Sequence, residues 1–281
     1  MNRQPLFTTR VKEKFSQWKT RYSKWREKKQ LFLIYSMGKV GTTTVYSLIK
    51  NQYPEHPIIQ VHFMSDHLIK SVIPTWDPTL HCNILIAQKA YELIDAHPNH
   101  RLKIITMVRE PMAREISNIF ENWKAIFHVD SISDLSFSQL KEYLDKCDHQ
   151  YALNWFDSEF KSYIGFNIYN HSFNKRRGYS IYRARKADIL IIRTENINTS
   201  LIEAVCKFCG LKLELSDSAN TIEQKQGKEL YYKLKEEYAL SLEKLKLLYE
   251  SRLVRHFYTH AEIDGFVRRW SHGKLNIKNL R

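Results

Sequence analysis

The stretch that decides the fold reads Leu31-Phe-Leu-Ile-Tyr-Ser-Met-Gly-Lys-Val-Gly-Thr-Thr-Thr-Val-Tyr46. Its apolar first part has the length and composition of a buried strand in a parallel sheet. Gly38 and Gly41 then let the backbone turn and approach a ligand closely. The threonines that follow open a helix, whose unpaired N–H groups and dipole favour an anion. The sequence therefore predicts a strand, a phosphate-binding loop and a helix.

The order of residues in this loop differs from that of a Walker A loop, which reads G-x-x-x-x-G-K-[ST] with the lysine after the last glycine. Here Lys39 precedes Gly41 by two residues, and Thr42 and Thr43 follow. The order Lys-Val-Gly-Thr-Thr resembles the 5′-phosphosulfate loop of sulfotransferases that use 3′-phosphoadenosine 5′-phosphosulfate (PAPS). The resemblance implies that these four residues bind the 5′ end of that donor.

A second strand–turn–helix segment runs from Lys103 to Phe120. Arg109 follows its strand, at the edge where open α/β sheets bind ligands, and Pro111 suits the first turn of the helix. The pattern Arg-Glu-Pro-x-x-Arg-x-x-Ser-x-x-Phe resembles the 3′-phosphate motif of the same superfamily. Because an arginine fork and a hydroxyl can hold a terminal phosphate, the resemblance assigns Arg109 and Ser117 to the 3′-phosphate.

Two residues are candidates for catalysis. Sulfuryl transfer loads charge onto the bridging oxygen of the leaving phosphate, so a cation there lowers the barrier, and Lys39 is our candidate. The acceptor needs a general base, and His62 follows the second predicted strand, next to the loop. Its position also resembles that of the catalytic histidine in several carbohydrate sulfotransferases. Asp66 and His67 remain rivals, and no metal is expected, since no carboxylate cluster is evident.

Other segments resemble the family described as putative capsular polysaccharide synthesis proteins, a sulfotransferase-like branch. They are Trp155–Lys161, Ser251–Thr259 and Glu262-Ile263 near Trp270. The resemblance covers roughly residues 30 to 270 and includes the two motifs quoted above. It implies a carbohydrate acceptor, such as a capsular or other cell-surface polysaccharide.

Strands that alternate with helices predict an α/β fold, with a P-loop-type parallel sheet covered by helices on both faces and a helix-rich remainder. Arg193 and Glu195, after the fourth strand, are expected to tie that strand to a neighbouring helix. The predicted strands are 31–35, 58–63, 103–108 and 188–193, and the predicted helices are 82–96, 111–126, 199–209, 226–250 and 260–270. Residues 136–160 are predicted helix-rich, and 161–186 an irregular basic stretch.

The length, composition and net charge limit the domain organisation and the partners that we expect. A chain of 281 residues with 43% hydrophobic residues is long enough for one large domain, here 31–281. A net charge of +14 implies an anionic partner, which we expect to be a nucleotide and an acidic carbohydrate rather than nucleic acid. Residues 1–30 hold a basic amphipathic helix, about 8–29, that would either lie on an anionic membrane surface or pack on the domain. We expect a cytoplasmic protein, with peripheral contact at the inner membrane face as the alternative.

Three further readings bear on function. Cys206-Lys-Phe-Cys209 has a C-x-x-C form, but no second ligand pair follows at zinc spacing, so we expect buried thiols. The basic, aromatic stretch 171–186 is either an acceptor-binding surface or a solvated loop. The rival functions are a P-loop kinase or NTPase, and a non-catalytic basic protein that docks to a membrane or polyanion.

Overall fold

The structure, a computed structural model, describes residues 30–65, 78–98, 101–185, 187–214 and 227–280. Five strands form one sheet in the order β2-β1-β3-β5-β4. They are β1 (Phe32–Tyr35), β2 (Ile58–Val61), β3 (Leu102–Val108), β4 (Tyr179–Arg183) and β5 (Ala187–Arg193). The pairs β1–β2, β1–β3 and β3–β5 are parallel, so the predicted α/β class with a mainly parallel sheet is confirmed.

The edge strand β4 was not predicted. The expectation of an irregular stretch over 161–186 is therefore wrong at Tyr179–Arg183. β4 runs antiparallel to β5, with Ile181 opposite Leu190. A tight turn brings the two strands together, closed by a hydrogen bond from the Ala184 amide to the Ala187 carbonyl at 2.8 Å. Only Tyr179 of this five-residue edge strand is buried, and the apolar Ile181 on the same face is exposed, so the strand lacks a clear pattern of alternating burial.

The helices surround this sheet and continue beyond it. They are α1 (Thr42–Gln52), α2 (Pro78–Asp95), α3 (Pro111–Phe127), α4 (Phe137–Lys146), α5 (Gln150–Trp155), α6 (Ile197–Cys209), α7 (Lys228–Glu237), α8 (Leu242–Tyr249), α9 (Arg252–Phe257) and α10 (His260–Trp270). A π-helical segment (Phe156–Lys161) and a short helical turn (Ser162–Ile164) extend α5, and 3-10 turns form at Ile132–Asp134, Ile168–Asn170, Thr194–Asn196 and Ile277–Leu280. Among the described residues, no helix combines the length and apolarity needed to cross a bilayer.

The single helix predicted over 226–250 is also wrong, because the chain breaks it into α7 and α8. Tyr238 takes an extended conformation, and the Leu240 amide donates to the carbonyl of Trp270 at 2.8 Å. Ser241 then caps α8 by accepting from the Lys244 amide. Burial of Tyr238 and Leu240 against the end of α10 outweighs the helical periodicity of the segment.

The sheet positions the candidate site through its topology. Every residue of β1 is buried, as are Ile104–Val108 and Ile189–Arg193, so both faces of the central strands are covered. The chain passes from β1 to β2 on one side and then returns to β3 on the other. The carboxyl ends of β1 and β3 therefore border a topological switch point, where α/β sheets bind ligands. The predicted helix 8–29 and the rivals Asp66 and His67 lie outside the described residues.

Candidate functional site

The loop between β1 and α1 is held by its carbonyl groups. Arg114 Nε donates to the carbonyl of Gly38 at 3.2 Å, and Arg109 Nη1 donates to that of Lys39 at 3.2 Å. Thr194 Oγ1, at the end of β5, donates to the carbonyl of Val40 at 2.5 Å and to that of Val108 at 3.1 Å. Three consecutive carbonyls thus point into the protein. Because C=O and N–H point in opposite directions across a trans peptide, the amides that follow these carbonyls point to the other side.

The N-terminus of α1 lies on that other side. Gly41 is its N-cap, has a φ of 88° and offers no side chain to cap the first amides. A Cβ at Gly41 would approach Ile197 Cδ1 at 3.4 Å and Met107 Cε at 3.5 Å, in a backbone conformation that disfavours other residues. In the first turn Thr42 is buried and Thr43 is exposed. The helix therefore presents amides, its dipole and the Thr43 hydroxyl to an anion.

One face of α3 lies against this loop. Arg114 reaches Gly38 from it, and Glu121, two turns further on, lies with its Oε1 3.7 Å from Nζ of Lys39. Ser117 is three residues after Arg114 and four before Glu121, so it lies between them on the same face. The sequence-predicted residues Lys39, Arg109 and Ser117 are thus brought to one edge of the sheet.

His62 lies beside the loop, as its place after β2 predicts. Its Nδ1 is 2.7 Å from the carbonyl of Ser36, which can only accept, so Nδ1 carries the proton and Nε2 keeps a lone pair. Burial lowers the pKa of His62, and the positive charges of Lys39 and Arg114 lower that pKa further. The ring is therefore neutral near pH 7, in the protonation state that a general base requires.

A buried carboxylate fixes the chain after His62. Glu159, in the π-helical segment, accepts from the Tyr35 hydroxyl at 2.5 Å and from the Ser65 amide at 2.8 Å, and it also bonds the Met64 amide. The indole of Trp155 donates to the His62 carbonyl at 3.3 Å. These contacts attach residues 62–65 to α5 and to its π-helical extension.

A cavity of about 210 Å³ opens beside Arg109. Its walls combine three cations, two carboxylates and three aromatic rings, which are Arg109, Lys235, Arg269, Glu110, Glu195, Tyr231, Phe266 and Trp270. Glu110 caps α3 and accepts from the Tyr249 hydroxyl at 2.6 Å, and burial raises its pKa. Glu195 accepts from the Glu110 amide at 2.8 Å and from Tyr258 at 3.0 Å.

Arg193 is confirmed in the structural role expected for it. Its Nη1 lies 2.7 Å from Oε1 of Glu262 on α10, and its Nε donates to Asn196 at 2.9 Å. Glu195 likewise accepts from the Glu110 amide at the N-terminus of α3.

Several residues that shape the site carry no sequence signal of their own. Arg114 appears only as an unassigned arginine of the second motif. Thr194 and Glu159 come from segments far away in the chain. Only the folded chain brings Thr194 to the loop and Glu159 to the segment after His62. Cys209 is buried as expected, but its partner in the C-x-x-C pair, Cys206, is only partly buried.

The basic stretch 171–186 forms an open cleft rather than part of this site. Polar and aromatic residues line the cleft, among them His171, Asn174, Arg177, Tyr182 and Lys207. Arg177 and Lys207 supply its positive charge. Its lining comes from the segment before β4, from β4 itself and from α6.

One family model matches the chain. It is described as "Putative capsular polysaccharide synthesis protein" and covers residues 127–259, just under half of the sequence. The chain is similar to that family over this stretch. The match includes Trp155, Glu159 and Thr194, but it begins after the loop at 36–41 and after Arg109. No curated protein and no solved structure matches the chain at a significant level.

Proposed function

We propose that the protein is a PAPS-dependent sulfotransferase that transfers a sulfuryl group to a hydroxyl or amine of a carbohydrate. The observation that carries this proposal is the convergence of Lys39, His62 and Arg109 at the carboxyl ends of three adjacent parallel strands, around the open N-terminus of α1. The loop has its carbonyls hydrogen-bonded on one side and its amides on the other, and this arrangement fits a phosphate group of the donor.

In this proposal two residues carry the chemistry. His62 Nε2 takes the proton of the acceptor hydroxyl as that oxygen forms a bond to sulfur. The bond between sulfur and the bridging phosphate oxygen breaks, and Lys39 Nζ donates to that oxygen as its negative charge grows. Glu121, whose Oε1 lies 3.7 Å from Nζ of Lys39, helps to position that side chain. The products are the sulfated acceptor, the bisphosphate and one proton on His62.

The cavity beside Arg109 suits the nucleoside of the donor. Arg109 uses one N–H on the Lys39 carbonyl, which leaves guanidinium donors for the 3′-phosphate. Ser117, the second residue assigned to this phosphate, lies on the face of α3 that meets the loop. Tyr231, Phe266 and Trp270 line the same cavity and offer aromatic surface for an adenine ring. Thr194 borders both this cavity and the loop, so the two ends of the nucleotide would share one continuous site.

The acceptor class rests on the family match. The description of the matching family favours a capsular or other cell-surface polysaccharide as the acceptor. The open cleft with Arg177 and Lys207 is a second feature that suits an anionic sugar chain.

The first experiment is calorimetric titration of the full chain with 3′-phosphoadenosine 5′-phosphate, with 5′-AMP, and with ATP plus Mg²⁺. Loss of one charge-assisted contact weakens binding by about 1.5–3 kcal/mol, or about 10- to 150-fold. Arg109→Ala should lose this much affinity for the bisphosphate and little for AMP, which has no 3′-phosphate. Arg183→Ala, an exposed arginine at the opposite end of the β4–β5 pair, is the matched control and should bind like the wild type.

The other outcomes separate the rivals. Magnesium-dependent ATP binding without bisphosphate binding would replace the sulfotransferase with a kinase or NTPase. Binding of none of the nucleotides would favour the non-catalytic docking protein. Equal losses for AMP and bisphosphate in Arg109→Ala would show that Arg109 acts only by holding the loop.

A further inference from the structure

Three potential metal ligands meet on the side of α3 that bears Glu115. Glu115 lies in the middle of α3, Cys147 directly follows α4, and His149 directly precedes α5. Their ligand atoms all lie within 4.8 Å of one another. Glu115 and His149 are each only 3% exposed, and Cys147 is partly buried. We name this group the Glu115–Cys147–His149 cluster.

The histidine of this cluster has an unexplained nitrogen. Its Nδ1 lies 3.8 Å from Sγ of Cys147, whereas its Nε2 is buried and has no hydrogen-bond partner among the residues that the structure describes. A buried polar atom without a partner is rare in native proteins and requires an explanation. A metal ion bound at Nε2 would supply one, and Nδ1 would then carry the proton.

The charges around the cluster suit a divalent cation. Glu115 accepts from Arg114 at 2.8 Å, from Asn118 at 3.0 Å and from Tyr143 at 3.2 Å, so one of its roughly four acceptor positions remains. Lys244 donates its Nζ protons to the carbonyls of Leu144 and Cys147. The Cys147 thiolate would supply negative charge to the ion, whereas the Glu115 carboxylate shares its charge with Arg114. Lys244 is engaged with two carbonyls.

We propose that Glu115, Cys147 and His149 bind a divalent transition metal of the zinc type, with solvent in a fourth position. Zinc accepts sulfur, nitrogen and oxygen ligands together, whereas magnesium and calcium favour oxygen alone. Tetrahedral bonds of about 2.0–2.3 Å separate ligand atoms by about 3.3–3.8 Å, so no pair of ligand atoms has to close by more than about 1.5 Å. Cys147 loses its proton to solvent on binding, and no oxidation takes place.

A bound metal would join α3 to the connection between α4 and α5. Arg114, the neighbour of Glu115, holds the Gly38 carbonyl, so the same ion would stabilise one support of the candidate nucleotide site. The metal proposal does not depend on the sulfotransferase proposal, because its ligands and its test are separate from nucleotide binding.

Cobalt titration of the reduced, chelator-treated full chain tests the proposal. Cobalt(II) bound to a thiolate gives a charge-transfer absorption in the near ultraviolet, and zinc should displace it. We expect one equivalent to bind the wild type, no such band in Cys147→Ser, and binding at least about tenfold weaker in Glu115→Gln, which retains the side-chain shape. Cys206→Ser is the matched control, because it removes one thiol of the C-x-x-C pair and should keep the band.

Three results would overturn the proposal. They are a wild-type chain without the thiolate band, a band of full strength in Cys147→Ser, and a band lost in Cys206→Ser, which would assign the metal to Cys206 and Cys209. Circular dichroism of each metal-free variant checks its fold. If Cys147→Ser fails to fold, unchanged cobalt affinity in Glu115→Gln would still refute the site.

Discussion

Gly178, just before β4, allows a sharp test of the packing at the end of β5. Its φ is 71°, its amide donates to the Asn174 carbonyl at 3.0 Å, and its carbonyl accepts from the Arg193 amide at 2.8 Å. A Cβ placed on Gly178 would lie 2.2 Å from Cγ and Oδ1 of Asn196 and 2.7 Å from its Cβ. Rotation of the Asn196 side chain cannot relieve the last of these contacts, so the backbone itself must move.

Gly178→Ala should therefore be strongly destabilising. The left-handed backbone conformation costs about 1–2 kcal/mol with a Cβ present. Overpacking of a filled site adds about 1–3 kcal/mol, for a total loss of about 2–5 kcal/mol. Displacement of Asn196 would also weaken its hydrogen bond from the buried Arg193, which adds to this loss.

Gly165→Ala is the matched control. Gly165 has a φ of 70°, nearly that of Gly178, but a Cβ there meets no atom within 4 Å. Its substitution should cost only the backbone part, about 1–2 kcal/mol. Urea unfolding of the full chain, followed by circular dichroism, measures both variants from midpoints at equal slope. If Gly178→Ala unfolds no earlier than Gly165→Ala, the packing argument around Asn196 is refuted.

Four further predictions concern the candidate site. Glu159→Ala should lower the free energy of unfolding by at least about 3 kcal/mol, because it leaves a tyrosine hydroxyl and two amides buried without an acceptor; a wild-type melting temperature would contradict this. The pKa of His62 in the folded protein lies below its unfolded value of about 6.5. The stability that depends on the neutral ring is therefore fully present above about pH 6.5, and it is lost as the pH falls towards the folded pKa. Between pH 7.5 and pH 5.5, each about one unit from the unfolded pKa, His62→Gln should therefore lose less free energy of unfolding than the wild type. Urea unfolding curves at both pH values measure this, and equal losses in the two proteins would refute the lowered pKa. Arg114→Lys keeps the charge but lacks Nε, so bisphosphate affinity measured by calorimetry should fall about tenfold or more, and unchanged affinity would show that the loop does not need this clamp. Tyr231→Ala should weaken bisphosphate binding by about 1–3 kcal/mol but leave pyrophosphate binding unchanged, whereas equal losses would exclude base stacking at this residue.

Local residue patterns were sufficient for the strands and helices around the loop. The apolar run before Ser36 and the run before Arg109 each became a central strand, because a strand buried on both faces must be continuously apolar. α3 begins at Pro111 as expected, since the proline preference acts within one turn, and Glu110 caps it. Such features depend on neighbours in the sequence and can be predicted from it.

Other features could not be predicted in this way. β4 pairs with the next strand along the chain, but its own residues carry no clear alternation. The break between α7 and α8 forms because the distant Trp270 offers a carbonyl. The Glu115–Cys147–His149 cluster joins Glu115 to two residues more than thirty positions further along the chain, so no ligand spacing marks the whole set.

The sequence by itself determined the alternation of strands and helices, the open N-terminus of α1 and the placing of Lys39, His62 and Arg109 directly after strands. Only the tertiary structure decided which groups hold that loop and the segment after His62, as Thr194 and Arg114 show for the first and Glu159 for the second. The physical reason is the separation along the chain over which each interaction acts. Helix caps and apolar periodicity act between residues a few positions apart, whereas a carbonyl clamp or a buried carboxylate network depends on which side chains packing brings within hydrogen-bond distance.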